Sequence, residues 1–201
     1  MLKHIPNILT LGRLVLTVAF LAMVLYVPYV SPDKVKLFWD VAFAIFVVAG
    51  VTDLIDGSIA RSLNVTSKFG RIMDPLADKI LVIGAFVCFA LIGVPTRLLG
   101  LSAAWLLAVR WGIAGIITAR EVYMTVVRHI AEARGINFAA TAAGKIKMAL
   151  QSFAIGTVVI KTAHVPAVWG EWFTIVVFVL TALVTIISAF PVARGGQRFP
   201  F

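Results

Sequence analysis

Apolar residues run in six long blocks, near residues 8–27, 37–62, 71–93, 105–128, 141–162 and 171–190. Each is long enough for a helix to cross a hydrocarbon layer of about 30 Å. The breaks between them carry turn and helix-stop residues: Pro28, Ser31 and Pro32; Ser62, Asn64 and Ser67; Val94 and Pro95; Arg134, Gly135 and Asn137; Pro166 and Gly170. No alternating strand pattern competes with these blocks, which argues against a β-barrel. The pattern predicts an all-α, polytopic membrane protein of six transmembrane helices. No linker or low-complexity segment divides the chain, so residues 1–201 read as a single membrane domain. Lys3 and His4 ahead of the first block resemble the opening of a signal peptide, but no small-residue cleavage site follows. The first block is therefore expected to be a retained span.

Composition strengthens this reading. Hydrophobic residues make up 61% of the chain and charged residues only 13%, against about a quarter charged in ordinary soluble proteins. The formal net charge of +9 is spread over residues that flank the apolar blocks, not gathered into one basic stripe. That favours anionic lipid head groups and phosphorylated substrates as partners over nucleic acid. Lys3, Arg13, Arg61, Lys68, Arg71, Arg128, Arg134, Lys145, Lys147, Arg194 and Arg198 fall on one side of the membrane. Lys34, Lys36, Arg97, Arg110 and Lys161 fall on the other. The positive-inside rule then puts both termini in the cytoplasm. Trp39, Trp105, Trp169 and Trp172 fall near helix ends, as an interfacial belt would. The single cysteine, Cys88, allows no intrachain disulfide and no paired-thiolate zinc site, and reads as a packing residue. His4, His129 and His164 are scattered and read as interface residues.

The chemistry concentrates in four aspartates within 26 positions: Asp53, Asp56, Asp74 and Asp78. A carboxylate near the middle of a membrane helix costs about 2.5–3.5 kcal/mol on insertion scales. Asp53 and Asp56, three apart, share a helix face, as do Asp74 and Asp78, four apart. If the second and third helices form a hairpin turning near Val65 and Thr66, Asp53 lies level with Asp78 and Asp56 with Asp74. Facing carboxylates repel, and divalent cations resolve the conflict. Oxygen-only donors favour a hard ion, Mg²⁺ or Mn²⁺, and four carboxylates can balance two of them. Two such ions suit phosphoryl chemistry. Gly57 and Gly70 permit close approach, and Arg61 can aim a guanidinium at phosphate. The alternative is that Arg61, Lys68, Arg71 and Lys79 pair with the aspartates merely to hold the hairpin.

Asp53, Asp56, Gly57, Ala60 and Arg61, followed after eight residues by Gly70, Asp74 and Asp78, read DxxDGxxAR…GxxxDxxxD. This resembles the signature of the CDP-alcohol phosphotransferase family. The resemblance implies six transmembrane helices around a cytoplasm-facing polar cavity, a homodimer, and transfer of a phosphatidyl or similar group from a CDP-linked donor to an alcohol with release of CMP. It also implies that Asp53, Asp56 and Asp74 are metal ligands and that Asp78 is both a ligand and the catalytic base. Gly57, Arg61 and Ser67 match positions that hold the CDP moiety.

Outside the signature, Ile5 to Arg13, Ala119 to Arg128 and Ala142 to Gln151 are similar to members that use glycerol 3-phosphate as acceptor and CDP-diacylglycerol as donor, which implies a bacterial inner membrane. Arg120 and Arg128 near the end of the fourth helix, with Lys145 and Lys147 at the start of the fifth, offer basic groups for the acceptor phosphate. Snorkelling to the interface is the competing role for these bases. Glu121 beside Arg120 reads as a supporting residue. Asn7, Thr10 and Arg13 precede or open the first helix; Asn7 and Arg13 can reach phosphate or cytosine, and Asn7 and Thr10 are candidate donor contacts, with Thr10 as an alternative helix cap. A different acceptor, phosphatidylglycerol or an inositol phosphate, keeps the family and changes the product. A cation channel or transporter using the aspartates is the reading from another class.

Overall fold

The computed structural model describes the backbone of residues 5–63, 68–94, 102–134, 142–165 and 167–189. Within these, the side chains of 5–9, 53–63, 68–72, 74, 132, 142, 143 and 145 are outside the description. Six helices are formed: α1 (Ile5–Tyr26), α2 (Val35–Leu63), α3 (Lys68–Ile92), α4 (Ala103–Ala133), α5 (Ala142–His164) and α6 (Val168–Ile187). All six carry a stretch long and apolar enough to cross a membrane, and no strand occurs among the described residues. The protein is thus a multi-pass membrane protein of the predicted class.

Local chemistry sets the helix ends. Gly93 adopts φ +82°, and the amide of Val94 donates to the carbonyl of Phe89 at 2.9 Å, a Schellman-type stop for α3. A Cβ at Gly93 would stand 3.2 Å from Arg110 Nη1, so α4 crosses closely over this turn. Helix α4 begins at Ala103, so much of the apolar stretch after Val94 is the start of a 31-residue helix. Pro75 inside α3 has no amide hydrogen, which leaves the carbonyl of residue 71 without its helical donor beside the signature aspartates.

The helices close into a ring. Helix α1 packs on α2 and α3, α2 on α5, α5 on α6, α6 on α4, and α4 back on α3, while α3 touches α5 across the interior. Among the described residues α1 lies against both α2 and α3, and α5 packs on α2 and touches α3; the hairpin turn considered from the sequence, near Val65 and Thr66, lies outside the described residues. The ring's core draws on all six helices, with Phe20, Phe46, Phe89, Ile117, Ile155 and Phe178 buried together. Phe20 stacks on Phe46 and Phe86 on Phe178, with centroids 5.4 and 5.3 Å apart. Trp39 is wholly buried in this core, a correction to its expected place in an interfacial belt, whereas Trp105, Trp169 and Trp172 are exposed. Cys88 is buried in the core, as a packing role requires.

Candidate active site

At the end of the ring where α1 and α3 begin and α4 and α6 finish, polar side chains from five helices turn inward. Glu121 of α4 is the hub. Its Oε1 accepts from Lys147 Nζ of α5 at 2.6 Å, from Arg120 Nη1 at 3.2 Å and from Gln151 Nε2 at 3.4 Å. Arg120 extends the other way and donates through Nη2 to Ser188 Oγ at the end of α6, at 3.0 Å. Gln151 also reaches Thr185 Oγ1 of α6, at 3.5 Å. Helices α4 and α5 share no extensive backbone packing, so the lysine and the glutamate bridge a gap between them. Glu121, Lys147 and Gln151 are buried at 5%, 5% and 0% exposure. A paired carboxylate and ammonium tolerate such burial only because each satisfies the other.

Asp78 of α3 faces this cluster. Its carboxylate lies in the electrostatic field of Lys147, Arg13, Glu121 and Lys79. Arg13 reaches the site from α1, where it is buried along with Thr10. Lys79 in turn feels Arg128, Glu121, Asp78 and Lys147. Among the described residues, Arg13, Lys79, Arg120 and Lys147 thus gather around two carboxylates, Asp78 and Glu121, with the exposed Arg128 at the edge.

The predicted site residues divide into three groups. Asp78, Thr10, Arg120, Arg128 and Lys147 are described and lie at this end of the ring. Lys147 is buried against Glu121, which excludes the snorkelling role considered for it; Arg128 is exposed and stands outside the hydrogen-bonded network. Thr10 sits in the second turn of α1, which begins at Ile5, so it is not a helix cap. Asn7, Asp53, Asp56, Gly57, Arg61, Asp74 and Lys145 lie on described helix backbone, but their side chains are outside the described residues, as is the whole of Ser67. Among the described residues no three His, Cys, Asp or Glu side chains form a cluster. An apolar groove lies on α2, α5 and α6, and its lining includes none of the residues of the polar network.

Gln151, Thr185 and Ser188 belong to the network and were not picked out from the sequence. Thr174, Thr181, Thr185 and Ser188 recur along one buried face of α6, and Gln151 interrupts an apolar span. A helical polar stripe inside a membrane segment is the signal that marks them.

Among the described residues, six helices long and apolar enough to span a membrane enclose a buried cluster of charged side chains at one end, the frame of a membrane protein with an embedded polar site. The family model described as CDP-alcohol phosphatidyltransferase matches residues 3–193, and the chain belongs to that family. It is 32% identical over 191 residues to a protein of Mycobacterium tuberculosis named probable phosphatidylglycerophosphate synthase, covering 93% of this chain and 78% of that one. It is 31% identical over 188 residues to the CDP-diacylglycerol–glycerol-3-phosphate 3-phosphatidyltransferase of Escherichia coli, covering 92% and 90%. The Bacillus subtilis protein of the same name is 30% identical over 163 residues, covering 78% and 77%.

Proposed function

We propose that this chain transfers the phosphatidyl group of CDP-diacylglycerol to glycerol 3-phosphate, giving phosphatidylglycerophosphate and CMP. The observation that carries the acceptor is the cationic surrounding of Asp78, with Arg13, Lys79 and Lys147 in its field and Arg120 tethered beside them by Ser188. A phosphomonoester docks against such groups, and the names of the bacterial relatives point the same way. A wholly lipidic acceptor would call for a second apolar groove at this end and less positive charge.

In this reading Asp78 accepts the proton of the acceptor hydroxyl. The freed oxygen forms a bond to the β-phosphorus of the donor, and the bond from that phosphorus to the CMP oxygen breaks. Arg120, Lys147, Lys145 and Arg128 hold the acceptor phosphate, with Glu121 keeping the first two in place. Gly57, Arg61, Ser67, Asn7 and Thr10 hold the donor's CDP moiety. The oxygen-only donors Asp53, Asp56, Asp74 and Asp78, on two helices that border one ring interior, fit a hard cation such as Mg²⁺ or Mn²⁺, two ions in all. Bound there, such ions would offset the negative charge of the donor pyrophosphate. The reading extends to a homodimer in a bacterial inner membrane with both termini in the cytoplasm.

The deciding experiment is CMP release by purified protein with CDP-diacylglycerol and Mg²⁺, offered glycerol 3-phosphate, phosphatidylglycerol or an inositol phosphate. Turnover with glycerol 3-phosphate alone supports the proposal. Turnover only with another acceptor keeps the family and overturns the substrate.

A further inference from the structure

Along the inward face of α5, Lys147, Gln151, Ala154, Ile155 and Val158 are buried at helical spacing. The stretch of this face from Ala154 to Val159 is apolar and belongs to the core. Gln151 therefore stands where the polar end of the ring meets the apolar interior, one turn deeper than Lys147. Its side chain is fully buried and reaches two other helices through one amide nitrogen. Nε2 donates to Glu121 Oε1 of α4 at 3.4 Å and to Thr185 Oγ1 of α6 at 3.5 Å. The other end of the amide, Oε1, is buried with no protein partner among the described residues.

An amide placed this way does little for stability. Both bonds are long for N–H···O, and a buried acceptor left unpaired costs more than such bonds return. Methionine is of similar length, carries no strong polar atom and would fill the same space. What the amide adds is direction. Glu121 Oε1 already takes Lys147 at 2.6 Å and Arg120 at 3.2 Å. A third donor confines that carboxylate, and because an amide is neutral it does so without altering the charge around it, as a lysine or arginine at 151 would. Thr185 steadies the amide in turn. Thr174 and Thr181, on the same face of α6, turn their hydroxyls to carbonyls of their own helix at 2.9 and 2.7 Å, whereas the hydroxyl of Thr185 meets Gln151. We propose that Gln151, steadied by Thr185, is a positioning residue for the acceptor: it acts through Glu121 to keep Lys147 and Arg120 in the arrangement that receives the acceptor phosphate. The inference rests on the proposed function, which gives those two bases that role. Hydrogen bonds of a substrate site often tighten only when the substrate is in place, which suits the long contacts of Gln151.

The test uses the full-length protein in detergent, with CMP release measured against varied glycerol 3-phosphate and varied CDP-diacylglycerol, and thermal melting in the same detergent. Gln151→Met is expected to melt at or above the wild-type temperature and to raise KM for glycerol 3-phosphate about tenfold, the effect of losing one directed contact to a charged group. Its kcat and its KM for CDP-diacylglycerol are expected to stay within about twofold of the wild type. Thr185→Val keeps the shape of the side chain and is expected to raise the same acceptor KM about threefold. The double variant should match Gln151→Met alone, because Thr185 acts only through the amide. An unchanged acceptor KM in Gln151→Met, or additive effects in the double variant, overturns the proposal. A lowered melting temperature with both KM values raised makes Gln151 a packing residue and overturns it as well. A wild type that turns over only another acceptor overturns the functional reading instead, and the same comparison on that acceptor's KM then decides the role of Gln151.

Discussion

Lys147 Nζ lies 2.6 Å from Glu121 Oε1, with the two side chains only 6% and 7% exposed. The pair joins α4 to α5 where their backbones do not pack closely, and it does so beside Asp78. Burial makes each partner depend on the other: an uncompensated charge in a low-dielectric interior costs far more than the pair returns. The same geometry makes Glu121 a resident counter-ion that holds Lys147 and Arg120 together, the two bases to which the proposed function gives the acceptor phosphate.

Removing one member of the pair should therefore be worse than removing both. Lys147→Met or Glu121→Gln alone is expected to lower stability by about 3–5 kcal/mol, and the double variant by clearly less than the sum. Cys88 supplies the readout, since it is the single cysteine and is buried in the core. A thiol-reactive dye followed during thermal unfolding in detergent measures each variant. Additive losses would show that the two side chains do not support one another.

Ser188 holds Arg120 from α6, and its hydroxyl also donates to the carbonyl of Thr185 at 2.8 Å. Ser188→Ala is expected to raise KM for glycerol 3-phosphate several-fold while kcat and KM for CDP-diacylglycerol change little. Ser188→Thr, which keeps the hydroxyl, should restore most of the affinity. An equal effect on both substrates would assign Ser188 to general packing of α6.

Most of the fold was legible in the sequence because a bilayer imposes one rule on every span. Each predicted block overlaps its helix closely; the third, expected near 71–93, forms as Lys68–Ile92. What the pattern could not give was which helices touch. Hydropathy reports depth and not neighbours, so the packing of α1 against both α2 and α3, and of α2 on α5, was not legible. Trp39 illustrates the same gap: its position near a helix start suggested the interface, while the structure buries it in the core. At the site, Asp78, Arg120 and Lys147 were readable as costly charges in apolar surroundings. Gln151, Thr185 and Ser188 carry no formal charge, and their role emerges only when α5 and α6 are set beside α4.

Close approach of α1 to α3 depends on Gly84, where a Cβ would stand 2.5 Å from Leu21 Cδ1. The obstacle is the tip of a flexible side chain, so Gly84→Ala should cost only about 1 kcal/mol, and Gly84→Leu about 3 kcal/mol. Leu21→Ala combined with Gly84→Ala should recover part of the loss by freeing the same space. The dye assay on Cys88 measures all three, and a failure of the combination to recover stability would place the strain in the backbone instead.

Divalent ions are expected to be required. Stripping the enzyme with EDTA should abolish CMP release, and Mg²⁺ or Mn²⁺ should restore it, whereas Zn²⁺ should not match them because the donor set lacks His and Cys. Asp53→Asn and Asp74→Asn should raise the Mg²⁺ concentration needed for half-maximal rate. Full activity in EDTA would return these aspartates to a structural role with Arg61 and Arg71.

Asp78 separates proton transfer from binding. Its carboxylate sits among Arg13, Lys79 and Lys147, and Asn preserves its shape while removing both the charge and the ability to accept a proton. A base contributes about 10²–10⁴ to rate, so Asp78→Asn should reduce kcat by about a thousandfold or more if metal binding is impaired as well. Asp78→Glu keeps the charge but moves it by one methylene and should recover a small part of the rate. Stability should fall little in Asp78→Asn, because the bases around Asp78 retain Glu121 as a counter-ion. Measuring CDP-diacylglycerol binding alongside CMP release distinguishes the two roles: retained binding with lost turnover identifies the base, while loss of both makes Asp78 chiefly a ligand. Wild-type turnover in Asp78→Asn would remove it from the chemistry altogether.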